Sequence, residues 1–176
     1  DEKIDLKIGC DGPVKGINAE ANSFGEVRGF LAQNPIPLSE PLESFDLRPF
    51  IGNGNLKITR YMEKSTKPYT SSTELRYGNI AQDLAYYSTV SEQIPSTYAL
   101  SVHFDKQGNA AGAGGLMLQA MPGARDEDLI KIEQIVAELP SLGMAFYEGR
   151  SAESVLMAEF SEHKPEILDS RRVEFM

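Results

Sequence analysis

The sequence predicts an α+β fold: an antiparallel β-sheet core with packed helices, followed by a helical linker region. Three observations carry that prediction. Short segments separated by turn residues alternate apolar and polar positions with a period of two. A capped helical segment interrupts them near residue 80. After Pro122 the apolar spacing changes to that of helices.

The first strand is expected where Ile4, Leu6, Ile8 and Cys10 alternate with Asp5, Lys7 and Gly9. Asp11-Gly12-Pro13 is turn chemistry. Ile17, Ala19 and Ala21 alternate again, and Glu26–Gln33 reads as a third strand, so a meander is expected. Asn34–Pro49 is proline-rich and loop-like, with a short helical turn near Phe50. Leu56–Tyr61 and Tyr69–Leu75 form another strand pair. Asn79 is a good N-cap, with Gln82 placed to complete a capping box. Ile80, Leu84, Tyr87 and Ile94 keep helical spacing until Pro95 stops the helix. Tyr98, Leu100, Val102 and Phe104 then alternate, Gly108 supplies a hairpin loop, and Ala110–Met121 returns. Beyond Pro122 one helix carries Leu129, Ile132, Ile135, Val136 and Leu139, with Asp126, Glu127 and Asp128 where carboxylates complement its N-terminus. Ser151–Glu162 is a second helix. A boundary is therefore placed near residue 123.

Composition narrows the function. With 41% apolar and 24% charged residues in 176 positions, the chain can build a core and is not a disordered tail. A net charge of −9 leaves no basic stripe for nucleic acid or anionic lipid. The longest apolar stretch, Ala110–Ala120, is too short to cross a bilayer. No secretory signal opens the chain, and its single cysteine, Cys10, fits a reducing cytosol. Cys10 cannot form an internal disulfide.

Candidate catalytic chemistry is thin. His103 falls on the polar side of its strand and is expected to face solvent or to make a local hydrogen bond. No nucleophile signature surrounds it, His163 or Cys10. Gly52-Asn53-Gly54 and Gly112-Ala113-Gly114-Gly115 lack the lysine and hydroxyl of a phosphate loop, and neither opens a helix. Close approach of backbones, or a bulge, explains the second run better. Asp126-Glu127-Asp128 points three ways around a helix and lacks calcium-loop spacing. Arg171-Arg172 is a lone basic pair.

The helical stripe is different. Burying Leu129, Ile132, Val136 and Leu139 fully would contribute roughly 6–12 kcal/mol as an upper bound. Packing onto the core is one use of it. The other is a surface that docks conditionally on unfolded chains. Met144, Phe146, Tyr147, Leu156, Met157 and Phe160 add adaptable apolar area of the kind that tolerates many partners.

Several pieces occur in a telling order. They are Asp11-Gly12-Pro13, Val27-Arg28-Gly29, Gly52-Asn53-Gly54, Gly78-Asn79-Ile80-Ala81, Tyr87, Ser91-Glu92-Gln93-Ile94-Pro95, Ala113-Gly114-Gly115-Leu116-Met117-Leu118-Gln119 and Met121-Pro122. Together they resemble the 33 kDa chaperonin family (heat-shock protein 33). Val173-Glu174-Phe175 resembles that family's approach to its redox domain. The resemblance implies a cytoplasmic, redox-regulated, ATP-independent holdase of the stress response. It also implies a homodimer, with domain swapping one route, and a C-terminal switch whose four cysteine thiolates bind zinc until oxidised to disulfides. None of those four cysteines is present, so no metal ligand is assigned in this chain. The expectation is a piece with both ends missing: an N-terminally incomplete chaperone core at 1–122, a helical linker at 123–168, and the start of the switch region at 169–176.

The sequence thus predicts a chaperone that is not an enzyme and that binds unfolding proteins to prevent their aggregation. Its client-binding candidates are the stripe residues and the six adaptable ones. Two rivals stay open: a small enzyme with an anion site at Gly112–Gly115, and a scaffold for one folded partner.

Overall fold

The computed structural model describes residues 2–37, 46–63 and 65–176, so the middle of the expected proline-rich loop lies outside the described residues. The chain divides into two compact units, one of Asp1–Gln93 with Arg171–Met176 and one of Ile94–Ser170. The boundary expected near residue 123 falls inside the second unit.

The first unit is built on β1 (Lys3–Cys10), β2 (Gly16–Asn22) and β3 (Glu26–Leu31), a meander as the alternation requires. A single turn of helix, α1 (Arg48–Ile51), leads to the pair β4 (Gly54–Tyr61) and β5 (Tyr69–Glu74). All four pairings among these strands are antiparallel, and β4 adds beside β1, giving the order β5-β4-β1-β2-β3. Register sets the core: Ile8 lies opposite both Ile17 and Leu56, and Leu6 opposite Ala19 and Ile58. Directly opposed residues share a face, so these apolar side chains point one way.

Onto that face packs α2 (Ile80–Val90), whose Tyr87 joins Ile8, Leu56 and Ile58 in the buried cluster. Its N-cap is Asn79, whose side chain accepts the Gln82 N–H at 3.2 Å. The reciprocal half of the expected capping box is made by Asp83 instead of Gln82. The buried Asp83 carboxylate accepts the backbone N–H groups of Arg76, Tyr77 and Asn79 at 2.7, 3.0 and 3.1 Å. At the other end α2 stops at Val90, short of the expected Ile94. Glu92 is drawn off the helix to the Arg60 guanidinium and the Tyr87 hydroxyl, each at 2.6 Å, and Tyr87 also meets the Ser71 hydroxyl.

The second unit begins with the hairpin β6 (Ser96–Phe104) and β7 (Ala110–Gln119). Its loop is closed by Asp105, which accepts the N–H groups of Gln107 and Asn109 at 2.9 and 2.8 Å, and by Gly108 at φ +82°. Three helices follow: α3 (Asp126–Glu138), α4 (Leu142–Tyr147) and α5 (Ala152–Glu159), with a 3-10 turn at Ser161–His163. No periodicity in the sequence marks α4 as a separate element. It crosses the hairpin on the face carrying Ala99 and Leu116, where Leu142, Ala145 and Val155 form a second buried cluster.

The glycines of β7 make that crossing possible. A Cβ on Gly114 would lie 2.6 Å from the Leu142 Cβ and 2.7 Å from the Phe146 ring, and one on Gly112 would collide with the Gly143 carbonyl. At Gly112 backbone meets backbone, and at Gly114 the Leu142 and Phe146 side chains take the space a Cβ would fill.

The chain ends by returning to the first unit. Strand β8 (Glu174–Phe175) runs parallel to β3, pairing Glu174 with Glu26 and Phe175 with Val27. The completed sheet has the order β5-β4-β1-β2-β3-β8.

Candidate functional site

The second unit holds its apolar residues in two ways. The hairpin face under α4 is closed: the Gly143 N–H donates to the Ser101 hydroxyl at 2.7 Å, and the His103 ring stacks on Tyr147 with centroids 4.7 Å apart. His103 therefore lies on the covered face, against the expectation that it faces solvent. The opposite face, carrying Leu100, Val102 and Met117, is the exposed one, with Leu100 and Val102 each 50% accessible. The alternation was legible, but its polarity was inverted. A strand of glycines lets a covering helix come close. Such a cover suits small or hydrogen-bonding partners such as Ser101 better than bulky Leu100 or Val102.

Helix α3 lies against β6 and buries none of its residues completely. Leu129, Ile132, Ile135, Val136 and Leu139 are all half-buried, while Ile130 is exposed. Its first turn is charged as the sequence indicates. Arg125 donates two hydrogen bonds to Asp128 and pairs with Glu127 at 2.8 Å. The hydrogen bond from Arg125 holds the Asp128 carboxyl below its usual range. Carboxylates engaged in this way complement the helix end.

The six remaining candidates divide. Met144, Tyr147 and Met157 are exposed, and Phe146 and Leu156 are half-buried. Phe160, 4% accessible, fills the interior. The structure thus brings the stripe, the outer turns of α4 and α5 and the outer hairpin face into one unit. The sequence offered one clue to the hairpin face, its strict apolar alternation, which reads equally well as an inward face.

Elsewhere the chemistry is structural. The space an anion would need over Gly112 and Gly114 is filled by α4, so the Gly112–Gly115 enzyme reading finds no site there. Cys10 is half-buried, and burial pushes its thiol up, which disfavours the reactive thiolate. Among the described residues no cluster of three His, Cys, Asp or Glu side chains could hold a metal. With one cysteine in the sequence, the residues present do not fit a thiolate zinc site.

In the first unit the Tyr87–Glu92–Arg60 group is a latch. Burial pushes the Tyr87 hydroxyl up to about 12, with the Glu92 hydrogen bond adding to it. Burial also raises the Glu92 carboxyl, but hydrogen bonds from Tyr87 and Arg60 outweigh it and leave Glu92 below its ordinary value. No catalytic geometry accompanies these shifts.

Comparison with known proteins gives a consistent answer. The family model described as Hsp33 protein matches residues 1–176. The 33 kDa chaperonin of Levilactobacillus brevis is 34% identical over 99% of this chain and 60% of its own length. That of Desulforamulus reducens is 35% identical, with the same shares covered. The crystal structure of the 33 kDa chaperonin (heat shock protein 33 homolog) from Thermotoga maritima superposes with a TM-score of 0.76 at 32% identity, over 91% of this chain and 55% of that one. This chain spans about 60% of the length of these curated relatives. By family match, sequence identity and fold, it belongs to the Hsp33 protein family.

Proposed function

We propose that this chain supplies the client-holding part of an ATP-independent, redox-regulated chaperone of the cytoplasm, and that it performs no catalysis of its own. The observation that carries this reading is the amount of apolar surface left half-covered in the second unit. Five stripe residues of α3 stay partly accessible, and Leu100, Val102 and Met117 lie exposed on the hairpin. Large exposed apolar patches on proteins commonly mark places where a partner docks. Non-native polypeptide suits the surface because methionine and aliphatic side chains adapt to many shapes.

Domain roles follow from the same reading. The first unit is the stable support, α3 to α5 form the conditional linker, and residues 169–176 lead toward a switch carried by other parts of the whole protein. Zinc binding and disulfide chemistry belong to that switch. The described residues include no helix long and apolar enough to cross a membrane, which is compatible with a cytoplasmic location. The open strand edges and the apolar linker favour a homodimer.

The test is light scattering from several unrelated proteins as they unfold, with and without the chain. Suppressed aggregation of most of them supports a general holdase. Protection of none, with tight binding to one folded protein, replaces it with the scaffold reading. Sedimentation across micromolar concentrations checks the dimer, and a monomer throughout overturns that part.

A further inference from the structure

Sulfur is divided unevenly between accessible and protected places in this chain, which has six methionines and one cysteine. Methionine is among the residue types most often buried whole. Here all six are exposed, from Met144 at 36% to Met121 at 76%. The cysteine is the protected one. Cys10 is half-buried, and burial pushes its thiol up, which holds back the reactive thiolate. A thioether has no proton to lose, so access decides whether it is oxidised.

Three of the six are turned outward by this chain's own packing. Leu142 and Ala145 of α4 and Val155 of α5 enter the buried cluster, and Leu116 of β7 packs against it. Those anchors fix the inner side of each element. Met144 then lies on the outer side of α4 and Met157 on the outer side of α5. Met117 follows Leu116 in β7, so it points to the opposite face, the one that carries Leu100 and Val102. These three sulfurs belong to the apolar surface of the second unit and take no part in its core.

We propose that Met117, Met144 and Met157 form an oxidant-sensitive set, which a peroxide converts to sulfoxides and which thereby loosens the hold of this surface on apolar clients without any cysteine taking part. This deepens the chaperone reading and rests on it for the consequence. In the step, a sulfur lone pair attacks one oxygen of hydrogen peroxide, so an S–O bond forms and the O–O bond breaks. Sulfur gives up two electrons, and the departing hydroxide takes the proton left on the transferred oxygen to become water. Methionine suits many partners because its thioether is soft and its chain flexible. The sulfoxide is polar and chiral, and its oxygen is an acceptor that an apolar client leaves unanswered. The device is a brake: holding falls as peroxide accumulates and returns when sulfoxide reductases restore the thioethers.

The experiment uses the intact 176-residue chain, with and without hydrogen peroxide. Peptide mass spectrometry counts the oxygens added, and light scattering from unfolding proteins reads holding. Met117, Met144 and Met157 are each expected to gain one oxygen, circular dichroism to stay unchanged, and holding to fall severalfold. Sulfoxide reductases should restore it, and Cys10→Ser should show the same fall. The triple variant Met117→Leu with Met144→Leu and Met157→Leu keeps Met62, Met121 and Met176 open to oxidation. Its holding, at whatever level it starts, should not respond to peroxide. Four results overturn the proposal: the three sulfurs stay unoxidised, they oxidise with holding unchanged, the fall disappears in Cys10→Ser, or the triple variant falls as far as the parent chain. A chain that protects no unfolding protein before oxidation fails the holding reading instead. The proposal is then judged by an apolar dye, whose binding peroxide should lower in the parent chain and leave alone in the triple variant. Any other pattern of dye binding overturns it.

Discussion

The two units solve opposite problems with similar materials. In the first, a helix closes one face of a sheet, and the polar groups the helix itself brings in, Asp83 and the Tyr87 hydroxyl, are answered, while the Thr73 hydroxyl of the sheet makes no hydrogen bond. Asp83 accepts three backbone N–H groups, and the Tyr87 hydroxyl is shared between Ser71 and Glu92. In the second, a helix of six residues crosses a two-stranded hairpin, and the longer α3 buries nothing completely. A two-stranded hairpin is marginal without support. The difference teaches where conditional exposure can arise: in the unit whose packing depends on glycine clearances and half-buried aliphatics, not in the one tied down by satisfied polar groups.

The largest effect should come from breaking the first unit. Asp83→Ala removes the buried acceptor of three backbone N–H groups and is expected to destabilise by about 2–3 kcal/mol. Because the sequence has no tryptophan, denaturation is best followed by far-UV circular dichroism and tyrosine fluorescence. A change under about 1 kcal/mol would mean that those donors find other partners and that the first unit is not the stiffer one.

Next in size is a wedge in the second unit. Gly114→Val places a branched side chain where Leu142 and Phe146 already sit, costing about 2 kcal/mol by overpacking. It should lift α4 off the hairpin, raise binding of an apolar dye, and leave amide protection in β1 and β4 intact. Protection lost equally in both units would erase the contrast drawn between them.

The latch predicts opposite behaviour at the two ends of the pH scale. The folded-state pKa of Tyr87 is raised from 10.0 to about 12, so its contribution is complete below pH 10 and drains as pH rises toward 12. At about 1.4 kcal/mol per unit the loss amounts to roughly 2–3 kcal/mol. Tyr87→Phe should flatten the stability profile across that window and cost about 1 kcal/mol at neutral pH. Glu92 has a folded-state value lowered from 4.5, so its contribution is present above that pH and lost as pH falls through the lower value. Urea melts from pH 3 to 12 read both arms, and an alkaline arm unchanged in Tyr87→Phe would remove Tyr87 from the latch.

Legibility followed the same division. In the first unit alternation at Ile4–Cys10 and at Leu56–Tyr61 specified strands whose inner face is apolar, because both patterns answer to one covered face. Asn79 announced its helix. Asp83 did not announce itself, since a carboxylate in a first turn reads as a dipole complement, and only the fold brings Arg76 and Tyr77 over it. In the second unit the glycine run correctly foretold close backbone approach. The element that approaches, α4, was missed because six residues give too little periodicity to read. Without α4, alternation alone exchanges the exposed and covered faces of β6 and puts His103 on the outer one. Strand β8 was invisible for a plainer reason: two residues carry no pattern.

The smallest effect on stability should accompany the largest effect on function. Ile132 and Val136 stay half-buried on α3, so the double change Ile132→Ser with Val136→Ser removes only part of a side chain's burial at each site. About 1 kcal/mol in total is expected from the fraction of area concerned. If α3 is the holding surface, the same pair should weaken suppression of aggregation severalfold, since an adaptable client loses contact along the whole stripe and not at one point. The control is Leu100→Ser with Val102→Ser on the outer hairpin face, which tests whether clients use both surfaces or one. Full holding activity in the α3 variant together with loss in the hairpin variant would move the client site from helix to sheet. Full activity in both would take holding off the apolar surfaces of the second unit altogether and overturn the reading that rests on them.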